Sequence, residues 1–493
     1  MWSFTGPGFL MSIAYLDPGN IESDLQSGSI ARYRLLWLLT ISTLFGLFVQ
    51  ILAARIGTVT GLHMAELCYR KFPPVPRILL WLMSEIAIIG SDMQEVIGTA
   101  ISIYLLSQGR VPLYAGVLIT VVDTFTFLFL DKYGLRKLEA FFGSLIVVMT
   151  VTFGYEFFRV GPEIGDIGLG LIFPWCKDCR STALRQGVGI IGAIIMPHNL
   201  YLHSALVKSR AVDRTKKEEV REANKYVAIE SAVALLVSLL INVMVTSVFA
   251  HGLYDKTNRD VRALCPNTSV VLDPDVFEDN DELVDADLHK AGVYLGCAFG
   301  LPALYIWAVG IFAAGQSSTM TGTYAGQFVM EGFLNLSWVR WKRVLLTRSL
   351  AIMPTLAVAL SMESIMDLTG MNDFLNALMS LMLPFALLPL IILSASGRVM
   401  GQFKTGYVSQ ALLWLVSAAL LVINVAYIGV FVTESLPPTW WIYLMLAIFS
   451  LYYACFILYL IGCLLVVLGF SAIADLPVIG PSMADDYDLK IPE

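Results

Sequence analysis

Apolar runs long enough to cross a bilayer follow one another along almost the whole chain, separated by short polar connections, and nothing else in the sequence restricts the fold so severely. A span needs about 20 residues, so with its connections the chain accommodates about twelve crossings. Hydrocarbon offers no partner for a backbone N–H or C=O, and each span must satisfy its own groups as an α-helix. The expected architecture is an all-α integral membrane protein. Composition agrees, since 57% of the 493 residues are hydrophobic and 14% charged, too apolar for water to surround. The net charge of −7 comes mainly from one hydrophilic loop, so nothing points to a nucleic-acid partner.

The spans read as 4–30, 35–58, 78–106, 113–130, 138–158 and 187–209, then 226–250, 303–333, 344–361, 374–396, 408–432 and 440–470. The first is read as a span and not as a removable signal peptide, because no charged stretch precedes it. Residues 1–493 are expected to form a single polytopic domain. Lys208, Arg210, Arg214, Lys216, Lys217, Arg221 and Lys225 crowd one connection, which places that loop and both termini in the cytoplasm. The segment 251–290 then faces the lumen or the exterior, and its Asn267-Thr268-Ser269 is an N-glycosylation acceptor. The acidic residues of that loop, Asp285 and Asp287 among them, read as a solvated surface. Cys176 and Cys179 share one loop, while Cys265 and Cys297 lie in or beside another. With both loops in an oxidising compartment these four form disulfides, and three pairings remain open.

Two spans carry a helix breaker at membrane depth. The run 9–16 meets Asp17-Pro18-Gly19-Asn20, and the sixth span carries Met196-Pro197-His198-Asn199 in the same relative place. Proline has no N–H to donate and clashes with the preceding turn, so each helix opens and leaves carbonyls without partners. Such a break survives in hydrocarbon only where it lines a cavity or binds something. The breaks lie five spans apart, so equivalent spans cross in opposite directions. That pattern marks an inverted repeat of five helices plus five, here 4–158 and 187–396, followed by two additional C-terminal helices in 408–470, with the substrate site between the two broken helices.

The ligand types identify the cargo. The Asp17 carboxylate, the Asn20 amide oxygen and freed carbonyls such as those of Ala14 and Ala193 form an oxygen site suited to almost any hard cation. The Met196 thioether shifts the preference toward Fe²⁺, Mn²⁺ and similar softer ions and away from Ca²⁺ and Mg²⁺. These motifs, with the stretches 6–28, 90–98, 131–143, 189–210 and 315–332, resemble the Nramp family of proton-coupled divalent metal transporters, its animal members in particular. The resemblance implies a LeuT-like fold and metal held by Asp17, Asn20, Met196 and the Ala14 and Ala193 carbonyls. Many relatives carry Gln where Met382 stands, so Met382 is a candidate additional metal contact.

The third span contains Glu85, Asp92 and Glu95, which at 100° per residue fall within an arc of about 80°. Carboxylates in a membrane interior are costly and mark ion or proton pathways. Arg348, in the ninth span, is the expected counter-charge, and His198 has the side chain whose ordinary pKa lies nearest neutrality. The resemblance adds that Asp17, His198, Glu85, Asp92, Glu95 and Arg348 take part in proton movement. The expected function is symport of Fe²⁺ or Mn²⁺ with H⁺ into the cytoplasm, by a monomer in the plasma or an endosomal/lysosomal membrane. No permanently bound cofactor is expected, and no enzyme activity, because no nucleophile stands beside a base. A sodium-coupled amino-acid or other solute carrier on the same fold, or a metal sensor that does not transport, would be the alternatives.

Overall fold

The computed structural model describes residues 7–120, 135–174, 176, 181–265, 276–335, 339–361, 365–435, 439–474, 476 and 479. Among them the elements are helices, joined by turns and one isolated antiparallel bridge between Thr257 and Leu283. The first span is severed into α1 (Pro7–Ile13) and α2 (Pro18–Ala31). Then come α3 (Leu36–Thr60), the short α4 (Met64–Lys71), α5 (Pro74–Leu106), α6 (Leu135–Val160) and α7 (Ile164–Ile172). The sixth span is likewise cut, into α8 (Ser181–Ile194) and α9 (Pro197–Leu206). The long α10 (Lys217–Gly252) leads into a loop that ends in α11 (Leu288–Phe299), and α12 (Leu301–Leu334) and α13 (Arg340–Ser361) follow.

The tenth expected span, 374–396, is not one rod. It is α14 (Ile365–Met382) and α15 (Pro384–Ala395), separated at Leu383. Pro384 cannot donate to the carbonyl of Ser380, which instead accepts from Leu383 N. The last two helices are α16 (Tyr407–Ser435) and α17 (Trp440–Val467).

Among the described residues eight helices are long and apolar enough to cross a membrane by length and composition. Four expected spans fall outside that set, for different reasons. Span 4–30 begins outside the described residues, and span 113–130 continues beyond them after 120. Helix α12 carries Gln316, Ser317, Ser318, Thr319 and Thr321 on buried positions. Several side chains of helix α13 lie outside the described residues.

Small residues let the central helices touch. A Cβ on Gly28 of α2 would overlap the Thr246 carbonyl of α10, and one on Gly315 of α12 would overlap Thr99 Oγ1 of α5. Around these contacts, two apolar clusters fill the bundle. One contains Met382, Met379, Leu383 and Phe385, and the other Met11, Ile21, Phe153 and Trp307. The two C-terminal helices keep Val422, Leu444, Ile448 and Leu451 exposed, the surface that a bilayer solvates.

The loop after α10 is folded, not merely solvated. Cys265 and Cys297 form a disulfide, one of the pairings left open by the sequence. Cys176 is disulfide-bonded too, while Cys179 lies outside the described residues, as does Asn267. Arg259 holds Asp279 at 3.1 Å and Asp281 at 2.6 Å, which fits the surface reading of those acids. Asp287 departs from it. The residue is 2% exposed, caps α11 by accepting from Lys290 N at 2.7 Å, and burial pushes its carboxyl up to about 6.

Candidate metal centre

Both prolines of the breaks stand four residues after an alanine, Pro18 after Ala14 and Pro197 after Ala193. In an α-helix residue i+4 supplies the donor for carbonyl i, so these two prolines deprive the Ala14 and Ala193 carbonyls of their helical partners. Chain direction changes where it must. Asp17 is extended at ψ 165° and caps α2, and Met196 is extended at ψ 130° and caps α9.

Asn20 fixes the Asp17 carboxylate. Its backbone N donates to Asp17 Oδ1 at 2.7 Å and its side-chain Nδ2 donates to the same oxygen at 2.8 Å. Asp17 Oδ2 is buried with no partner among the described residues. A buried carboxylate oxygen with no donor is a substantial cost unless a cation answers it. Met196 is 2% exposed, and Ser91 Oγ of α5 lies 4.0 Å from its Sδ. Carboxylate, amide oxygen, free carbonyl and thioether groups are donor types that suit a divalent transition metal.

A cavity of about 600 Å³ opens at the end of the bundle that carries the Cys265–Cys297 loop. Gln26, Arg185, Asp285, Asp373, Asn376 and Tyr427 line it. Asn376 Nδ2 donates to the Gly19 carbonyl at 3.4 Å, so the cavity floor touches the first break. The opposite end is closed. Met64 N donates to Ser204 Oγ at 2.9 Å, Lys208 Nζ meets Glu66 Oε2 at 2.6 Å, and Arg214 Nε donates to the Thr58 carbonyl at 3.2 Å.

The three carboxylates of α5, Glu85, Asp92 and Glu95, are all buried. Asp92 and Glu95 both reach Gly322 of α12, where a Cβ would overlap Asp92 Oδ1 and lie 3.2 Å from Glu95 Oε1. Glu85 sits two turns earlier and accepts from Trp81 Nε1 at 2.9 Å. The Arg348 side chain lies outside the described residues, although its backbone belongs to α13. His198 is 2% exposed, and its Nδ1 has no partner among the described residues. Met382 ends α14 inside the apolar cluster already described.

Other polar residues here carry as much of the geometry as those read from the sequence. Glu22 and Asp24 of α2 are buried carboxyl side chains inside a span, and Asn372 Nδ2 donates to Glu22 Oε2. The cost of intramembrane charge, applied to α2 as it was to the third span, would have singled out both. Gln94 Nε2 donates to Asn376 Oδ1 at 2.8 Å and to the Asn372 carbonyl at 3.2 Å. Neither motif nor charge marks an amide such as Gln94.

The profile of the family described as "Natural resistance-associated macrophage protein-like" matches residues 8–429. The chain belongs to the Nramp family. Natural resistance-associated macrophage protein 2 of Mus musculus is 58% identical over 476 residues, covering 96% of this chain and 82% of that protein. NRAMP-like transporter smf-1 of Caenorhabditis elegans is 56% identical over 460 residues, covering 93% of this chain and 82% of that protein. Among solved structures, the Eremococcus coleocola manganese transporter superposes with a TM-score of 0.77 at 30% identity, covering 94% of each chain. The nucleobase-cation-symport transporter Mhp1 superposes at 0.53 with 13% identity, covering 86% of this chain and 90% of its own, a likeness of fold alone. This Nramp chain therefore has the expected LeuT-like, all-helical membrane fold, and it is not an enzyme.

Proposed function

We propose that the chain carries Fe²⁺, Mn²⁺ and similar divalent ions into the cytoplasm together with protons, by alternating access. The observation that carries this reading is the Asp17 carboxylate at the first break, bonded on one oxygen by Asn20 and without a partner on the other among the described residues, while Met196 is buried at the second break. Family membership and the likeness to the Eremococcus coleocola manganese transporter support it.

On this reading the open cavity faces the exterior or lumen, and the ion descends past Asp285, Asp373 and Asn376 to the break. There it exchanges water for Asp17, Asn20, Met196 and the Ala14 and Ala193 carbonyls. Each positive charge gains about 2.3 kcal/mol per 100 mV on entering a negative cytoplasm, and each pH unit adds about 1.4 kcal/mol per proton. Asp92 and Glu95, on the same helix as Ser91, are placed to take the proton, with His198 on the second break. Release requires the closed end to part at Glu66–Lys208 and Met64–Ser204.

The test is uptake by the purified chain in liposomes that contain a pH-sensitive dye. Mn²⁺ entry should acidify the lumen and quicken when the outer solution is acidic. Glu95→Gln should keep part of the Mn²⁺ flux while weakening the acidification that accompanies it. Mn²⁺ entry with no proton movement at any outer pH overturns the coupling, and no entry at all overturns the transport reading.

A further inference from the structure

Three broken or proton-bearing elements converge on one stretch of α14, and a single buried amide joins them. Gln94 belongs to α5, between Asp92 and Glu95, and is fully buried. Its Nε2 donates both to Asn376 Oδ1 at 2.8 Å and to the Asn372 carbonyl at 3.2 Å, two positions one helical turn apart on α14. Asn376 then passes the connection on, donating from Nδ2 to the Gly19 carbonyl at 3.4 Å. Asn372 does the same with Glu22 of α2. A Cβ on Gly19 would lie 2.7 Å from Gln94 Oε1, so the amide rests on the bare backbone between Asp17 and Asn20. The second break is clamped to the same place, because a Cβ on Gly192 of α8 would overlap the Asn376 carbonyl.

We propose that Gln94 is a positioning residue for transport, a hook by which the helix bearing Asp92 and Glu95 holds α14 against the first helix break. The proposal rests on the transport reading above. Both donor hydrogens of the amide are engaged on α14, so α5 and α14 move as one body while the bonds last. Because Asn376 touches both the cavity and Gly19, the position of α14 sets the shape of the break that receives the metal. Loss of the hook lets α14 shift and leaves Asn20 and Asp17 less well aimed. The consequence is weaker loading of metal without loss of any ligand.

The experiment compares Mn²⁺ uptake in liposomes for the wild-type chain, Gln94→Met, Asn376→Leu and the double variant. Methionine keeps the length of glutamine and removes both donors. The expected result is a KM for Mn²⁺ raised about 5- to 10-fold in each single variant at unchanged melting temperature, with the double variant no worse than the weaker single. Unchanged KM in Gln94→Met, or effects that multiply in the double variant, overturns the proposal. So does a loss confined to maximal rate in proportion to lost protein, which is what a purely structural role produces. Where Gln94→Met does not fold, Asn376→Leu carries the same expectation, and an unchanged KM there overturns it. Failure of wild-type uptake would instead reject the transport reading.

Discussion

Asp92 Oδ1 occupies the space where a side chain on Gly322 would begin. One of the close approaches between α5 and α12 thus happens at a carboxylate, and the absence of a Cβ at 322 makes it possible.

Gly322→Ala is expected to push the Asp92 carboxylate aside and to disturb Glu95 with it. Alanine favours the helix by about 1 kcal/mol over glycine, so fold stability should change little while proton-linked uptake falls several-fold. Uptake and luminal acidification measured together check this, and wild-type coupling in the variant would show that the contact has no functional weight.

Asp17→Asn removes the open carboxylate oxygen and keeps the shape. Losing the anionic ligand should lower Mn²⁺ uptake by at least about 100-fold, beyond the 10- to 100-fold usual for groups one layer out. A ligand that binds only the folded state raises its melting temperature, so Mn²⁺ should stabilise the wild-type protein and not the variant. Equal stabilisation of both would place the metal elsewhere.

Met196→Ala removes the proposed thioether donor at the second break. Mn²⁺ flux should persist in part, while discrimination against Ca²⁺ drops by about 10-fold as the remaining set becomes all oxygen. Competition between the two ions in the liposome assay reads this directly, and unchanged selectivity counts against a sulfur ligand.

Asp287 gives a pH dependence of known sign. Its carboxyl is raised by burial to about 6 from an ordinary 3.8. The folded chain therefore holds this proton to higher pH than the unfolded chain does. Its contribution is complete below the ordinary value and is lost as pH rises through about 6. Asp287→Asn keeps a capping oxygen and cannot titrate. Its melting temperature relative to wild type should climb from about pH 4 to pH 7, the difference amounting to at most about 3 kcal/mol. A difference that stays flat across that interval rejects the assignment.

Much of the fold was legible because lipid leaves few choices. Hydrocarbon forces each apolar run into a helix, and Pro18 and Pro197 remove donors from carbonyls that can be named in advance. The two interrupted helices follow from residue identity. The break at Pro384 obeys the same rule, but no charged motif beside it marks it in the sequence.

What residue order by itself determined was the solvent, the helices, the places where they open and the ligand chemistry gathered there. Only the folded bundle decided which neutral groups those openings meet. Gln94 finds Asn372 and Asn376 nearly three hundred residues away, and Gly322 admits Asp92 because two helices cross there. Cys265 pairs with Cys297 across a sequence separation of 32, with their Cα atoms 4.7 Å apart. Hydrogen bonds and close approaches between distant helices depend on crossing geometry, which is set by the packing of whole surfaces and is written in no local pattern.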